Sequence, residues 1–448
     1  VRLLGILRGE LKAMKDQFDT PRRTEIQANE FEHEPEDLIQ REDMVVTVSH
    51  AGYVKRVPLS TYRPQRRGGK GRAGMATREE DFVTRVFVAN THTPVLFFSN
   101  FGRVYKLKVH RLPVASPQSR GKAMVNLLPL SEGETIQTLM PLPENEASWA
   151  GLHVMFATSK GYVRRNTLSD FVDVKANGKI AMRFEGEDAD DRLVEVLPCS
   201  ERDDVLLNAR GGKSIRFAVG DVRVFQSRTS VGVRGMKLAG DDEVISMAII
   251  RHVDATVGER KAYLKYAAQQ RRLVTGEDVE ADTIAAAEDE EEVAGAEVTL
   301  TPERIAQLGA AEQFVLTVTE NGFGKRTSAL EYRITNRGGS GIINIDTRRR
   351  GDKVVAAFPV EDGDQIMLVT NAGKLIRSPV DDIRIAGRGS AGVTLFRTVE
   401  GERVVSSIRL GEAGAAAPDE NGGNNGSDHD GTEGDGDDPG GDDPRGDE

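Results

Sequence analysis

The chain repeats one short pattern six times, and that repeat constrains the fold more than any other feature of its 448 residues. In each copy a short apolar run, a tight turn with glycine and a basic run follow one another. The copies are Val45 to Val57 around Gly52, Val95 to Leu107 around Gly102, Val154 to Asn166 around Gly161, Val205 to Phe217 around Gly212, Phe314 to Thr327 around Gly322, and Ile366 to Ser378 around Gly373. Successive glycines stand 50, 59, 51, 110 and 51 residues apart, so the long gap is one repeat plus an insertion. Units of this length, made only of short strands and turns, predict an all-β, six-bladed propeller with about four strands per blade. Six blades can close a ring, and closure removes most exposed strand edges. A hydrophobic fraction of 38% with 5% aromatics suits thin strands better than one thick core, and 47 glycines supply the turns.

Three appendages interrupt the pattern and carry most of the acid. Residues 1–40 read as the end of a coiled coil and a linker. Leu4, Leu7, Leu11, Met14 and Phe18 alternate steps of three and four, with Pro21 just beyond. Such a seam also fits an amphipathic helix packed on its own domain. A helix that begins at residue 1 without a cap or a Met suggests a piece cut from a longer protein. The wheel itself is expected over 41–410. An acidic insertion at 255–313 falls between blades four and five; Thr301, Pro302 and Gly309 there predict one short helix with cap, first-turn proline and terminal glycine. After Leu410 the chain is rich in Gly, Asp and Asn, and 411–448 is expected to be a disordered acidic tail.

Net charge is −11, yet its distribution matters more than its total. The tail contributes −12, the insertion −7 and the first forty residues −3, which leaves the body at +11. The acidity therefore belongs to the appendages, and the wheel is cationic.

Several functions are excluded by what the residues lack. The longest apolar runs, such as Val95 to Phe98 and Ile366 to Val369, are too short to span a bilayer, so no membrane partner and a cytoplasmic location are expected. Cys199 is the sole cysteine, which excludes an intrachain disulfide and a zinc site built on paired cysteines. The seven histidines, at 33, 50, 92, 110, 153, 252 and 429, show no metal-ligand spacing, and no metal is assigned. Gly211-Gly212-Lys213-Ser214 lacks the first glycine of a phosphate-binding loop, since position 207 is Leu207, and no helix follows it. Tyr62, between Thr61 and Arg63, reads as a loop or strand residue, and no catalytic residue is assigned.

The functional signal lies in the loops. Gln65-Arg66-Arg67-Gly68-Gly69-Lys70-Gly71, followed by Arg72, combines cations that can meet phosphates with glycines that let a nucleic-acid backbone approach. Taken alone it also fits a solvated turn. Equivalent loops in the other blades are basic too: Gln118-Ser119-Arg120-Gly121-Lys122, Lys175-Ala176-Asn177-Gly178-Lys179, Arg228 with Arg234-Gly235, Asn336-Arg337-Gly338-Gly339, and Gly387-Arg388-Gly389. Successive blades set equivalent loops around one circumference, so repetition turns isolated cations into a curved positive track. A curved track bends what it binds.

Gln65 to Gly71 resembles the box loop of DNA gyrase A subunits, within the type IIA DNA topoisomerase family, which topoisomerase IV lacks or carries in degraded form. Phe18-Asp19-Thr20-Pro21-Arg22-Arg23-Thr24-Glu25-Ile26 resembles the junction where that family's coiled coil enters its C-terminal region, and Asn321-Gly322-Phe323-Gly324-Lys325-Arg326-Thr327 resembles another recurrent family segment. The resemblance implies a β-pinwheel, whose blades exchange strands, with the box loop closing blade one onto blade six and contacting duplex DNA. It implies DNA wrapped with positive handedness, so that ATP-driven strand passage yields negative supercoils. It further implies an A2B2 assembly, with a gyrase B subunit that hydrolyses ATP with Mg2+ and a second A subunit joined through the coiled coil and an upstream region. The DNA-cleaving tyrosine belongs to that upstream region; this chain has no cofactor of its own and no cleavage centre.

Two competing readings remain open at this level. A propeller used as a protein-interaction platform explains the fold without explaining cationic loops in every blade. A topoisomerase IV-type domain would serve relaxation or decatenation, and the intact box argues against it. The tail is either a solubilising end or a competitor of DNA for the rim.

Overall fold

In the computed structural model the described residues are 2–20, 36, 38–61, 81, 83–184, 189–227, 230–275, 298–348, 352–372 and 375–410. The first repeat forms β1 (Asp43–Ser49), β2 (Tyr53–Pro58) and β3 (Val83–Asn90); the second forms β4 (Pro94–Ser99), β5 (Arg103–Lys108), β6 (Lys122–Ala123) and β7 (Ile136–Pro141). The third gives β8 (His153–Thr158), β9 (Tyr162–Thr167), β10 (Lys179–Ile180) and β11 (Leu193–Cys199), and the fourth β12 (Asp203–Ala209), β13 (Lys213–Ala218), β14 (Val233–Arg234) and β15 (Val244–Arg251). The last two repeats give β16 (Phe314–Thr319), β17 (Phe323–Ser328), β18 (Ile342–Ile343), β19 (Val354–Val360), β20 (Gln365–Thr370), β21 (Leu375–Pro379), β22 (Val393–Thr394) and β23 (Val404–Leu410).

Strand order shows the exchange. Blade one is β3-β1-β2-β6, so its fourth strand comes from the second repeat; blades two to five likewise borrow β10, β14, β18 and β22. Blade six shows three described strands, β21-β20-β23. The turn glycines explain the tight hairpins: Gly52, Gly102, Gly161, Gly212 and Gly322 all have positive φ, which L side chains rarely adopt. Gly373, the sixth, lies outside the described residues. Each closing strand also carries a bulge opposite the end of the first strand of its own repeat, as opposite Val48 and Ser49 or Val318 and Thr319, and a bulge adds local twist.

Blade two is buried on both faces, which is why Val95 to Phe98 reads as a continuous apolar run. Side chains alternate between the two neighbours: Val95 and Phe97 pack toward blade one, while Leu96 and Phe98 pack toward blade three beside Phe156 and Phe171. Phe98 meets Phe156 edge-on at 5.6 Å between ring centroids. Five such clusters join blades one to six in sequence. Among the described residues none joins blade six to blade one; Val86 and Val88 on β3, which point away from blade two, are 43% and 53% exposed.

The closing strands β7, β11, β15, β19 and β23 pack edge to edge and line the centre. The exchanged strands therefore occupy the outer edge. Among its described residues the insertion forms α2 (Val257–Thr275) and α3 (Pro302–Ala311), after the N-terminal α1 (Arg2–Phe18). Thr301 caps α3 by accepting from the Arg304 amide, as the sequence predicts, but the helix continues through Gly309 to Ala311. The Tyr263 hydroxyl stands 3.4 Å from where a Cβ at Gly309 would lie, so this glycine serves helix packing rather than termination. α2 was not predicted: its apolar stripe is only Tyr263, Leu264 and Ala267, set among cations and packed on Leu308 and Leu330. The described side chains of α1 are all exposed, including Leu4, Leu7, Leu11, Met14 and Phe18, as a seam without its partner helix would be. The acidic tail and the run Glu288 to Glu292 lie outside the described residues.

Candidate nucleic-acid interface

After its second strand each of the second to sixth repeats makes a short 3-10 turn, crosses to the preceding blade, and adds two residues to that blade's outer edge. In blade one Tyr53 pairs with Ala123 and Val54 with Lys122. The crossing loop presses so close that a Cβ on Gly121 would sit 2.4 Å from the Val54 carbonyl oxygen; at Gly232, over Val163, the figure is 2.3 Å. Only glycine fits there, and both have positive φ.

The loop cations sort into exposed, tied and buried groups. Lys122, Lys175, Arg234 and Arg337 are exposed, one on the outer edge of each of blades one to four. Arg234 lies over the Tyr162 ring and donates to its hydroxyl at 3.0 Å. Arg120 is similarly stacked, 3.7 Å above Tyr53, with Asp81 3.7 Å away, so part of its charge is spent within the blade. Lys179 is half-buried and donates to the Asp170 carbonyl at 3.0 Å. Arg388 corrects the reading from sequence: it is 1% exposed and donates to the Ile343 carbonyl at 2.8 Å, while its amide donates to Glu331. A guanidinium buried in that way joins two blades and does not face a ligand. Gln65, Arg66, Arg67, Gly68, Gly69, Lys70, Gly71, Arg72 and Arg228 lie outside the described residues, as does Tyr62.

Neighbouring outer loops touch one another. Arg337 donates to the carbonyls of Asp221 at 3.1 Å and Arg234 at 3.3 Å, and the Gly338 amide donates to the Gly235 carbonyl at 2.6 Å. Arg388 ties the loop on blade five to β18 on blade four, and Arg164 on blade three donates to the Ala181 carbonyl, just beyond β10. The outer edge is thus linked from blade two to blade five.

A second set of cations, hidden inside the basic strands, escaped the sequence reading. Four residues beyond each turn glycine stand Arg56, Lys106, Arg165, Arg216, Arg326 and Arg377. Arg56 donates to the carbonyls of Leu112 at 2.8 Å and His110 at 3.0 Å, Lys106 to Val172 at 2.8 Å, Arg216 to Ala329 at 2.7 Å, and Arg326 to Ile383 at 2.7 Å. Each of these four clips its own blade to the 3-10 turn of the next. Arg216 also pairs with the fully buried Asp204 at 2.7 Å. Burial holds the Arg56 guanidinium below its ordinary range. The recurrence of a cation at one register was the available signal; charge alone did not reveal that it faces the neighbouring blade.

No nucleophile or metal centre emerges among the described residues. Burial pushes the Cys199 thiol up to about 12, far from the thiolate form. No group of three or more His, Cys, Asp or Glu among the described residues could hold a metal ion, and no described helix is long and apolar enough to cross a membrane. Gly212 and Lys213 sit at a hairpin turn and the start of β13, not before a helix.

Comparison with known proteins agrees with this architecture. The family model described as "DNA gyrase C-terminal domain, beta-propeller" matches residues 43–90, 93–143, 152–200, 203–251, 313–361 and 364–410, one match per repeat. The chain is 50% identical to the DNA gyrase A subunit of Rickettsia bellii over 413 residues, which are 92% of this chain and 44% of that protein. With the DNA gyrase A subunit of Salmonella typhimurium it shares 38% identity over 411 residues, 92% of this chain and 39% of the relative. The chain thus spans less than half the length of these curated relatives. Among solved structures, the C-terminal domain of DNA topoisomerase IV superposes with a TM-score of 0.62 at 20% identity, covering 85% of this chain and 96% of that one. A DNA gyrase A C-terminal domain gives 0.53 at 20% identity, covering 82% and 100%; both likenesses concern the fold. Six matched repeats, the exchanged strands and the identity to gyrase A subunits together establish that the chain belongs to the DNA gyrase C-terminal domain family of β-propellers.

Proposed function

We propose that this chain wraps duplex DNA around its outer edge. The observation that carries the proposal is one exposed cation at the outer edge of each of four successive blades, with the loops of blades three and four hydrogen-bonded to one another. Bending 20–30 base pairs by 40–90° costs on the order of 1–6 kcal/mol. Several phosphate contacts acting together, each releasing counterions, offset that cost without reading base sequence.

The box loop extends this edge to blade six. In the second to fifth repeats the exchanged strand begins 18 to 21 residues beyond the turn glycine, as from Gly161 to Lys179 or Gly212 to Val233. The same interval counted from Gly52 falls on Lys70 to Ala73, and blade six is the sheet whose outer edge, β21, has no described exchanged strand. That arithmetic supports a role for Gln65 to Arg72 in closing blade one onto blade six while presenting its own cations.

In the whole protein, the wrap is taken to be positive in handedness and to present a nearby DNA segment for passage. A gyrase B subunit in an A2B2 assembly would then hydrolyse ATP with Mg2+ and fix the wrap as negative supercoils, in the bacterial cytoplasm. The upstream region, not this chain, would cut the strands.

The test is topological. Nicked circular DNA is religated with the chain present and freed of protein, and its linking number is read on a gel. A shift toward positive values that grows with protein is expected; an unshifted distribution at saturating protein overturns the proposal, and a negative shift overturns the handedness.

A further inference from the structure

Three residues beyond the turn glycine, the six blades alternate. Blades one, three and five carry the cations Lys55, Arg164 and Lys325; blades two, four and six carry Tyr105, Ile215 and Ile376. All three cations are fully buried. What they bind is the backbone of the loop arriving from the next repeat. Lys55 Nζ donates to the carbonyls of Ser116 at 3.1 Å, Pro117 at 2.5 Å and Ser119 at 2.9 Å. Lys325 Nζ repeats the arrangement on blade five, donating to Gly387, to Arg388 at 2.6 Å and to Ser390 at 2.9 Å. Arg164 donates to Ser230 at 2.5 Å, and its Nε is held by Asn166 at 2.8 Å.

Blades two and four hold their loops without a buried cation, although the blade-four loop is also hydrogen-bonded to blade three through Arg337 and Gly338. On blade two, Gly178 rests on the Tyr105 ring, 2.6 Å from where its Cβ would be, and on blade four Gly339 stands 3.4 Å from Ile215 in the same sense. Apolar contact of this kind has no preferred direction, whereas a buried ammonium keeps its acceptors or bears the cost of desolvation.

We infer that Lys55, Arg164 and Lys325 are positioning residues that lock, from beneath, the outer loops of alternate blades, so that the wheel meets duplex DNA with loops of fixed backbone. The inference rests on the wrapping proposed above for its purpose, though not for the lock itself. Loops held in this way fix where the backbone of the duplex must run.

Hydrogen exchange on the full chain tests the lock without DNA. In Lys55→Met and Lys325→Met, amides of 118–121 and 388–391 are expected to exchange ~10-fold faster or more, while 336–341 stays unchanged; Lys55→Arg and Lys325→Arg keep protection. Unchanged protection in both Met variants overturns the lock. Linking-number shifts then test its purpose: the Met variants should lose most of the shift while affinity falls by no more than about threefold, because the exposed cations remain. Loosened loops with full wrapping overturn the positioning role, and a wild-type chain that shifts nothing overturns the wrapping while leaving the exchange result to decide the lock. Should a Met variant fail to fold, the wild-type order decides: loops 118–121 and 388–391 must exchange more slowly than 175–178, whose loop rests on the Tyr105 ring, and the reverse order overturns the inference.

Discussion

The Arg337 guanidinium donates to the main-chain carbonyl of Arg234 at 3.3 Å, so an exposed cation of one outer loop is fastened to the backbone of its neighbour. Cations fastened in this manner keep a fixed spacing, and a fixed spacing is what a stiff polyanion can meet at several points at once. Single substitutions of Lys122, Lys175, Arg234 or Arg337 to Ala should therefore weaken duplex binding whatever its sequence. Each should also flatten the slope of log affinity against log salt by roughly 0.9 for every phosphate no longer neutralised. A salt titration by anisotropy reads both quantities. Arg388→Ala should behave otherwise: the slope stays, and the chain loses on the order of 1–3 kcal/mol of stability in urea, because buried acceptors lose a charged donor.

The box is tested in the reconstituted enzyme. With Arg66, Arg67 and Lys70 changed to Ala, supercoiling is expected to vanish while relaxation survives, since relaxation needs strand passage without a directed wrap. Loss of both activities, with the fold intact by circular dichroism, would sink the role assigned to Gln65 to Gly71.

How far these features were legible in the sequence follows from what each depends on. Strand pairs announced themselves because six apolar runs end at a turn glycine, and Gly52, Gly102, Gly161, Gly212 and Gly322 all take the backbone conformation that explains them. The borrowed strands did not, for two residues such as Lys122 and Ala123 are too few to show a period of two. Charge misled at Arg388, where the neighbouring glycines suggested exposure although the chain folds the guanidinium beneath Ile343. It was silent at Arg56, Arg216 and Arg326, whose direction depends on strand register against the next blade and not on local composition. α2 was hidden because its packing stripe is narrow and the surrounding acid dominated the reading.

Helices α2 and α3 should part in acid. Glu259 accepts from Arg304 Nε at 2.9 Å, and that hydrogen bond holds the carboxyl down to about 2. A carboxylate whose pKa is lowered by folding contributes fully above its ordinary value of 4.5, and the contribution fades as pH falls through about 2. The Arg304 Nε–H resonance should hold its position from neutrality well past pH 4.5 and move only as pH falls through about 2, toward the value seen in Glu259→Gln; a resonance indifferent to both acid and substitution would dismiss the clasp.

The tail offers the sharpest electrostatic test. Residues 411–448 carry a net charge of −12, tethered to the wheel whose cations are proposed to hold DNA. A tethered polyanion competes at an effective concentration near millimolar, far above that of free duplex in a binding assay. Removing 411–448 should then raise affinity, most strongly at low salt, because screening shortens from about 30 Å at 0.01 M to about 8 Å at 0.15 M. A tail of equal length with its acids replaced by Ser and Asn separates charge from bulk: it must mimic the deletion if competition is electrostatic. Equal affinity of all three chains across the salt series would leave the tail a solubilising end, and the wheel's grip on DNA would then be set by its loops alone.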